Sequence, residues 1–377
     1  MRQTRRSIAA KIQAVAGTPE TLTAADVFFA EDIQLSPEVE QLMRPHHLPT
    51  ISQLAPVAGR SRMSASCKVP MYGASAAGTA PFWGMLLQGC GWAETIVALT
   101  SAKYLPATTG HKILTLKVFV DGVSFRIRDA KGSWSIEFKA GSVPYFSFKF
   151  DGIWEPLTDA DAFKDEALLE GNALPSFQPK PFKAALLSIG GTHFGVSEGF
   201  KLDSGNKLVY VPDANITTYK RVDISSPREL KGEIDQEAVL KATYDFWSKV
   251  TGQTAVAIQG YVGADDGNTT GTGTLNTLTD LTKNWIANQF SADWSLLDSA
   301  GTSFAISANT GTALTVSGTP ETGPYLIYQP GKLVRVKIPK AVFSGISDTG
   351  KDGNWHHGLP FMAALTTGDD EGEFFVI

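Results

Sequence analysis

The chain has 377 residues, with 33 Lys+Arg against 38 Asp+Glu for a formal net charge of -5, and 43% of it is hydrophobic. That length suits two or three domains with their own cores, and the acidic balance excludes a nucleic-acid binder held by a general basic excess. The cysteines, Cys67 and Cys90, are too few for a disulfide scaffold and are expected to be reduced, buried packing residues, and no apolar run approaches the ~20 residues of a membrane helix.

The N-terminus is basic through Arg5-Arg6, but Ser7 to Ala16 is interrupted by Lys11 and Gln13 and lacks an apolar core, so no signal peptide is expected. Ser61 to Val69 predicts a strand closed by Pro70. Pro81 to Cys90 predicts a short helix, with Pro81 in its first turn and Gly91 as its stop. A meander follows. Leu114, Leu116, Val118 and Val120 alternate with polar residues up to Asp121-Gly122, and Val123, Phe125 and Ile127 lead to a second expected turn at Lys131-Gly132. Trp134, Ile136 and Phe138, then Phe146, Phe148 and Phe150, complete four expected strands with one apolar and one wet face.

Thr158 to Phe182 is acidic and then Pro-rich, which suits a linker. Beyond it, Leu230 to Ile234 reads as a strand and Glu237 to Val250 as an amphipathic helix. Thr254 to Gln259, Leu333 to Ile338, Phe361 to Leu365 and Phe374 to Ile377 read as strands. The order of elements points to an internal duplication, although no identity between the halves is visible. From Gly263 to Pro330 the chain turns Gly/Thr/Asn-rich, with strand-like pieces at Ser303 to Ile306, Ala313 to Val316 and Tyr325 to Tyr328. This predicts a small inserted β module at the surface.

No catalytic, cofactor-binding or metal residue is assigned. Gly345 to Lys351 approaches a phosphate-binding loop, but Asp352 stands where a hydroxyl is needed, and a polar turn is expected. The Gly263 to Gly273 cluster is expected to be a flexible loop, and its Asp265-Asp266-Gly267-Asn268 lacks the bidentate Glu of a calcium loop. His46-His47 and His356-His357 are adjacent pairs, which point to opposite faces of a strand and chelate one ion poorly. The acidic run Asp369-Asp370-Glu371 with Glu373 is expected to be solvated, or to contact a neighbouring subunit or repel DNA. Asn215-Ile-Thr217 and Asn268-Thr-Thr270 match the glycosylation pattern but mean little without a secretory signal.

Arg5-Arg6 with Ala9-Ala10-Lys11, Gly17-Thr18-Pro19 and Thr23-Ala24-Ala25-Asp26 resembles the opening of the tail tube proteins of long-tailed bacteriophages. So does Gly78-Thr-Ala-Pro81-Phe-Trp-Gly-Met-Leu-Leu-Gln-Gly-Cys90-Gly91-Trp-Ala-Glu94-Thr95, the sharpest part of the likeness. The meander and Gly368-Asp-Asp-Glu371 continue it; Gly263 to Pro330 departs from it. The likeness covers residues 1 to 155 well and the rest loosely.

The resemblance implies an all-β dominated (α+β) chain: two tandem tail-tube-type β-sandwich domains, each with a flanking helix, plus the inserted β module. Expected boundaries are an N-terminal arm at 1–60, a first tube domain at 61–157 and a linker at 158–182. A second tube domain follows at 183–262 and resumes at 331–377, around the module at 263–330. The implied role is structural, not enzymatic. Stacked rings form the tail conduit in the virion, synthesised in the bacterial cytoplasm, with phage DNA and a tape measure protein in the lumen. Tail terminator and distal tail proteins would cap it, and no cofactor or membrane is involved. Two tube domains per chain favour a trimer with pseudo-six-fold symmetry, with a hexamer as the alternative. A lumen should not grip phosphates, so Arg126, Arg128, Lys139 and Lys149 are expected to pair with acids of the neighbouring domain or face outward. The rival readings are another virion component (capsid decoration or baseplate) and a carbohydrate-binding protein or glycosidase using exposed Trp and carboxylates such as Asp159, Asp161, Asp165 and Glu166.

Overall fold

The computed structural model describes residues 6–44, 52–159, 179–183, 186–194, 197–225, 227–351 and 353–377. Strands dominate, and the described residues contain two short α-helices, Phe82–Gly89 and Phe246–Thr251. Most of the expected linker, including Asp161, Asp165 and Glu166, and the pair His46-His47 lie outside the described residues.

Local chemistry sets the elements. Leu114–Val120 turns through Asp121 (φ 40°) and Gly122 (φ 98°) into Val123–Lys139. Positive φ at both central positions gives a two-residue hairpin whose twist matches its strands. The turn expected at Lys131-Gly132 does not form. Val123–Lys139 runs on as one strand of 17 residues, and its irregularity is a bulge between Arg128 and Lys131 against Tyr145–Trp154. Gly132 serves close approach instead, since a Cβ there would lie 2.5 Å from the Phe150 ring. The expected four-stranded meander therefore has three strands.

The helix expected over Glu237 to Val250 is also shorter. Lys231–Glu237 is a strand, and the helix begins at Phe246, where the Asp245 carboxylate accepts the Ser248 N–H at 3.0 Å. Arg6–Ile12, expected within an arm, is a sheet strand: it pairs antiparallel with Leu114–Val120 and buries Ile8, Ala9 and Ala10.

The halves share one topology. In the first, the sheet order is Leu114–Val120, Val123–Lys139, Tyr145–Trp154, Val57–Pro70, Glu31–Leu42, all antiparallel. In the second it is Val256–Val262, Val334–Phe343 with its continuation Ser347–Lys351, Asn354–Ala363, Lys231–Glu237, Ser197–Asp203, again all antiparallel. Chain order agrees too: the outer strand comes first, then its neighbour, the helix and the remaining three strands. Both helices open on the same pair, Phe82-Trp83 and Phe246-Trp247.

Each half carries its own additions. The first has a hairpin, Trp92–Val97 with Ser101–Pro106. The second has a hairpin, Lys207–Pro212 with Tyr219–Ser225, and a seven-stranded sheet between Val256–Val262 and Val334–Phe343. That sheet has its own core, including Leu278, Trp285, Leu296, Ile306, Leu314 and Tyr325. It meets the main body through Tyr261, Leu326, Tyr328 and Leu333.

The two halves are welded at two seams. Ser197–Asp203 pairs with Lys231–Glu237 on one edge and with Ser135–Lys139 on the other. Glu373–Val376 pairs with the start of Val334–Phe343 and with Ser101–Pro106 of the first half. The result is one 19-stranded sheet over one hydrophobic core running from Ile8 to Val376. Phe374, from the second half, packs among Trp83, Trp92, Trp134 and Phe146 of the first.

Candidate functional site

An open groove of about 940 Å³ spans the seam. Its walls are the wet faces of strands that neighbour one another across both halves: Tyr145 and Ser147, then Ser135, Glu137 and Lys139, then Lys201 and Asp203, Lys231 and Glu233, and Pro360 and Met362. Period-two alternation puts these outward and Ile136, Phe138, Phe146, Phe200, Ile234 and Leu359 inward. The charges lining the groove balance, with Lys68, Lys139, Lys201 and Lys231 against Glu31, Glu137, Asp203 and Glu233. Two exposed cross-seam pairs contribute, Lys201–Glu137 at 3.4 Å and Lys139–Glu198 at 3.8 Å, each adding little stability in water.

The seam itself is held by packing and backbone fit. Phe138 stacks on Phe200 with ring centroids 4.2 Å apart, a contact worth ~0.5–1.5 kcal/mol beyond its area. Gly199 lies so close to the facing strand that a Cβ there would sit 1.7 Å from the Phe138 carbonyl oxygen.

Of the basic residues of the first meander, Lys139 has the expected kind of partner and the two arginines do not. Arg126 pairs with Glu155 at 2.7 Å, and Arg128 with Asp129 at 2.5 Å and Glu155 at 3.2 Å, all within their own half. The bulge beside Arg128 brings these acids to hand. Lys139 reaches an acid of the other half, Glu198, and Lys149 makes no ion pair among the described residues.

The other candidates resolve into structural roles. Ser347–Lys351, within the expected polar turn, is a strand paired with Asn354–Ala363, and the reversal falls at Gly353 (φ 82°). The expected flexible loop from Gly263 contains two paired strands, Asp266–Asn268 and Thr272–Thr274. The Asp266 carboxylate accepts from Lys283 at 2.6 Å and from the Trp285 indole at 2.7 Å, Asn268 donates to Asp280 at 2.9 Å, and Asp265 pairs with Lys180. The Asp266 and Asp280 oxygens named here take internal donors, and Asp265 engages Lys180, rather than gathering around an ion. Among the described residues, no group of three or more His, Cys, Asp or Glu is placed to hold a metal.

His356 and His357 are both buried but in different surroundings: His356 Nδ1 lies 3.1 Å from Asp235, whereas His357 packs near Phe246, Trp247 and Trp355. Burial lowers the His357 pKa. The acidic run is not simply solvated. Arg228 donates to Glu371 at 3.0 Å and Asp369 at 3.3 Å, and Asp369 also accepts from the Thr108 hydroxyl at 2.6 Å, so the run clamps a loop of the first half. Cys67 and Cys90 are buried free thiols, and burial pushes the Cys67 pKa up to about 12. Trp134, Phe146, Phe148 and Phe150 lie in the core, as their strand positions predict.

The repeated Phe-Trp helix start escaped the sequence reading. The expected second helix starts at Glu237 rather than at Phe246, which hides the correspondence. Set beside known proteins, the chain matches no protein-family model and no curated protein.

Proposed function

We propose that the chain is a structural subunit of a bacteriophage tail tube, which assembles edge to edge into rings that stack into a conduit for the genome. One observation carries this reading: the chain contains the same five-strand-and-helix unit twice, and the two units already join through sheet pairing into one continuous sheet. Three chains would then supply six units to a ring, a trimer with pseudo-six-fold symmetry. The sheet face spanning the seam is polar and charge-balanced, as a DNA passage requires, since unbalanced lysines bind phosphate by releasing counterions. In this role a tape measure protein and then DNA occupy the lumen, and terminator and distal tail proteins close the ends. The module, with its own core, decorates the outside.

Negative-stain electron microscopy across a concentration series tests the proposal. Hollow tubes or open-centred rings with three-fold averages are expected. Compact particles at every concentration, with no central opening, would count against it.

A further inference from the structure

We propose that the Ser347–Lys351 edge of one copy is completed by the Glu31–Leu42 strand of a second copy, repeating between chains the seam that joins the halves within one. The inference rests on the assembly reading only in requiring that copies meet; it names the edges that do so.

Three observations converge. First, the halves are topologically equivalent, but their edges are not equally filled. Ser197–Asp203 has ladder partners on both sides. Its counterpart Glu31–Leu42 is paired only with Val57–Pro70 among the described residues, apart from an Arg6 side chain on the Ile33 carbonyl. Likewise Ser135–Lys139 has partners on both sides, whereas its counterpart Ser347–Lys351 is paired, among the described residues, only with Asn354–Ala363. A long unpaired edge offers backbone donors and acceptors to another chain. Pro37 lies in Glu31–Leu42, but only alternate residues of an antiparallel strand bond to a given side, so it removes at most one bond.

Second, core-facing aromatics beside this edge are uncovered in one half only. Trp83 and Phe146 are both 0% exposed, with Phe374 of the other half packed on each. Trp247 opens the second helix as Phe82-Trp83 opens the first, and Trp355 sits second in its strand as Phe146 does; these are 52% and 53% exposed. Trp355 lies on the same side of its strand as buried His357, Leu359 and Phe361, so it faces a core that the single chain leaves unfinished.

Third, the ladders predict one register. Counted from the first strand residue after each turn, Pro360 corresponds to Asp151. Their partners Glu233 and Ser64 therefore correspond, and so do the outer partners Lys201 and Ser36. Lys201 faces Glu137, which sits opposite Tyr145 at the turn as Lys351 sits opposite Asn354. Ser36 of one copy is thus placed against Lys351 of the next, and Val39 against Asp348. Val39 and Asp348 both fall on the core-facing side of their ladders.

The test mixes full-length Val39→Cys with full-length, mass-tagged Asp348→Cys under mild oxidation. The native Cys67 and Cys90 are buried and do not compete. The expected result is a disulfide-linked species containing one of each chain, because facing strand positions meet disulfide geometry. That species without rings or tubes would uphold the pairing and remove the conduit reading. Rings or tubes without it would overturn the pairing and leave the conduit reading in place. Persistent monomers without it would overturn both.

Discussion

The two halves are built on one plan but finished differently. In the first, the tryptophan opening the helix is fully buried under Phe374, donated by the second half; in the second, the matching Trp247 is half exposed and no such donor reaches it among the described residues. The same contrast holds for the strand edges: the seam edge is filled on both sides, and its repeat-related counterpart is open among the described residues. A repeated unit placed next to itself once can satisfy only one of its two seams, and under the proposed assembly the other is filled by a second copy.

Substitutions at the closed seam and at the open edge test this contrast. The largest difference is expected between the tryptophans. Trp83→Ala should cost ~3–5 kcal/mol as a buried large-to-small change. Trp247→Ala should cost under ~1 kcal/mol in dilute monomer, as a partly exposed site, yet should weaken self-association. Urea unfolding at low concentration, paired with sedimentation at high concentration, measures both; equal losses in unfolding would contradict the contrast.

Next come two glycines. Gly199→Ala drives a methyl into the Phe138 carbonyl at the closed seam and should cost ~1–3 kcal/mol, as overpacking does. Gly345→Ala, with nothing within 4 Å of the added carbon, should be neutral or stabilise by up to ~1 kcal/mol through the unfolded chain. No penalty at Gly199 would show that the seam is not tightly fitted.

A smaller effect is expected at Glu373, which bonds Arg335 at 2.6 Å and pairs with Lys103 of the first half at 3.1 Å. Burial raises its pKa, but Arg335 and Lys103 outweigh this and hold it below the ordinary 4.5. Because the folded value is the lower one, its contribution is full above pH ~4.5 and is lost as pH falls through the folded value. Unfolding midpoints between pH 3 and pH 6 should therefore fall less steeply on acidification in Arg335→Met than in the parent chain. Parallel curves would remove this pair from the seam.

The smallest effect is expected from the module. Val262 and Val334 are ladder partners, so replacing residues 263–333 with Asn-Gly closes a tight hairpin. The main body should keep a single cooperative unfolding transition, and rings should still form. Failure to form rings while the body remains folded would place the module in the interface.

Much of the fold was legible wherever a residue had one local job. Asp121-Gly122 announces a hairpin because the turn itself needs positive φ, and the alternating Trp134, Ile136, Phe146 and Phe148 announce a core face. Lys131-Gly132 misleads because Gly132 answers to the Phe150 ring rather than to a turn, a tertiary demand that leaves no local trace. The helix over Glu237 to Val250 misleads because the periodicity runs on upstream of the Asp245 cap, whereas pairing with Asn354–Ala363 claims Lys231–Glu237 for the sheet. The candidate interface was least legible. An open strand edge is defined by what is missing beside it, and only the filled seam of the other half reveals its partner.

The most direct measurement is an electron cryomicroscopy reconstruction of the assembled protein at a resolution that traces strands. Glu31–Leu42 of one chain is expected to run antiparallel beside Ser347–Lys351 of the next, with Trp247 and Trp355 covered. An assembly in which those two edges stay unpaired and both tryptophans face solvent would contradict it.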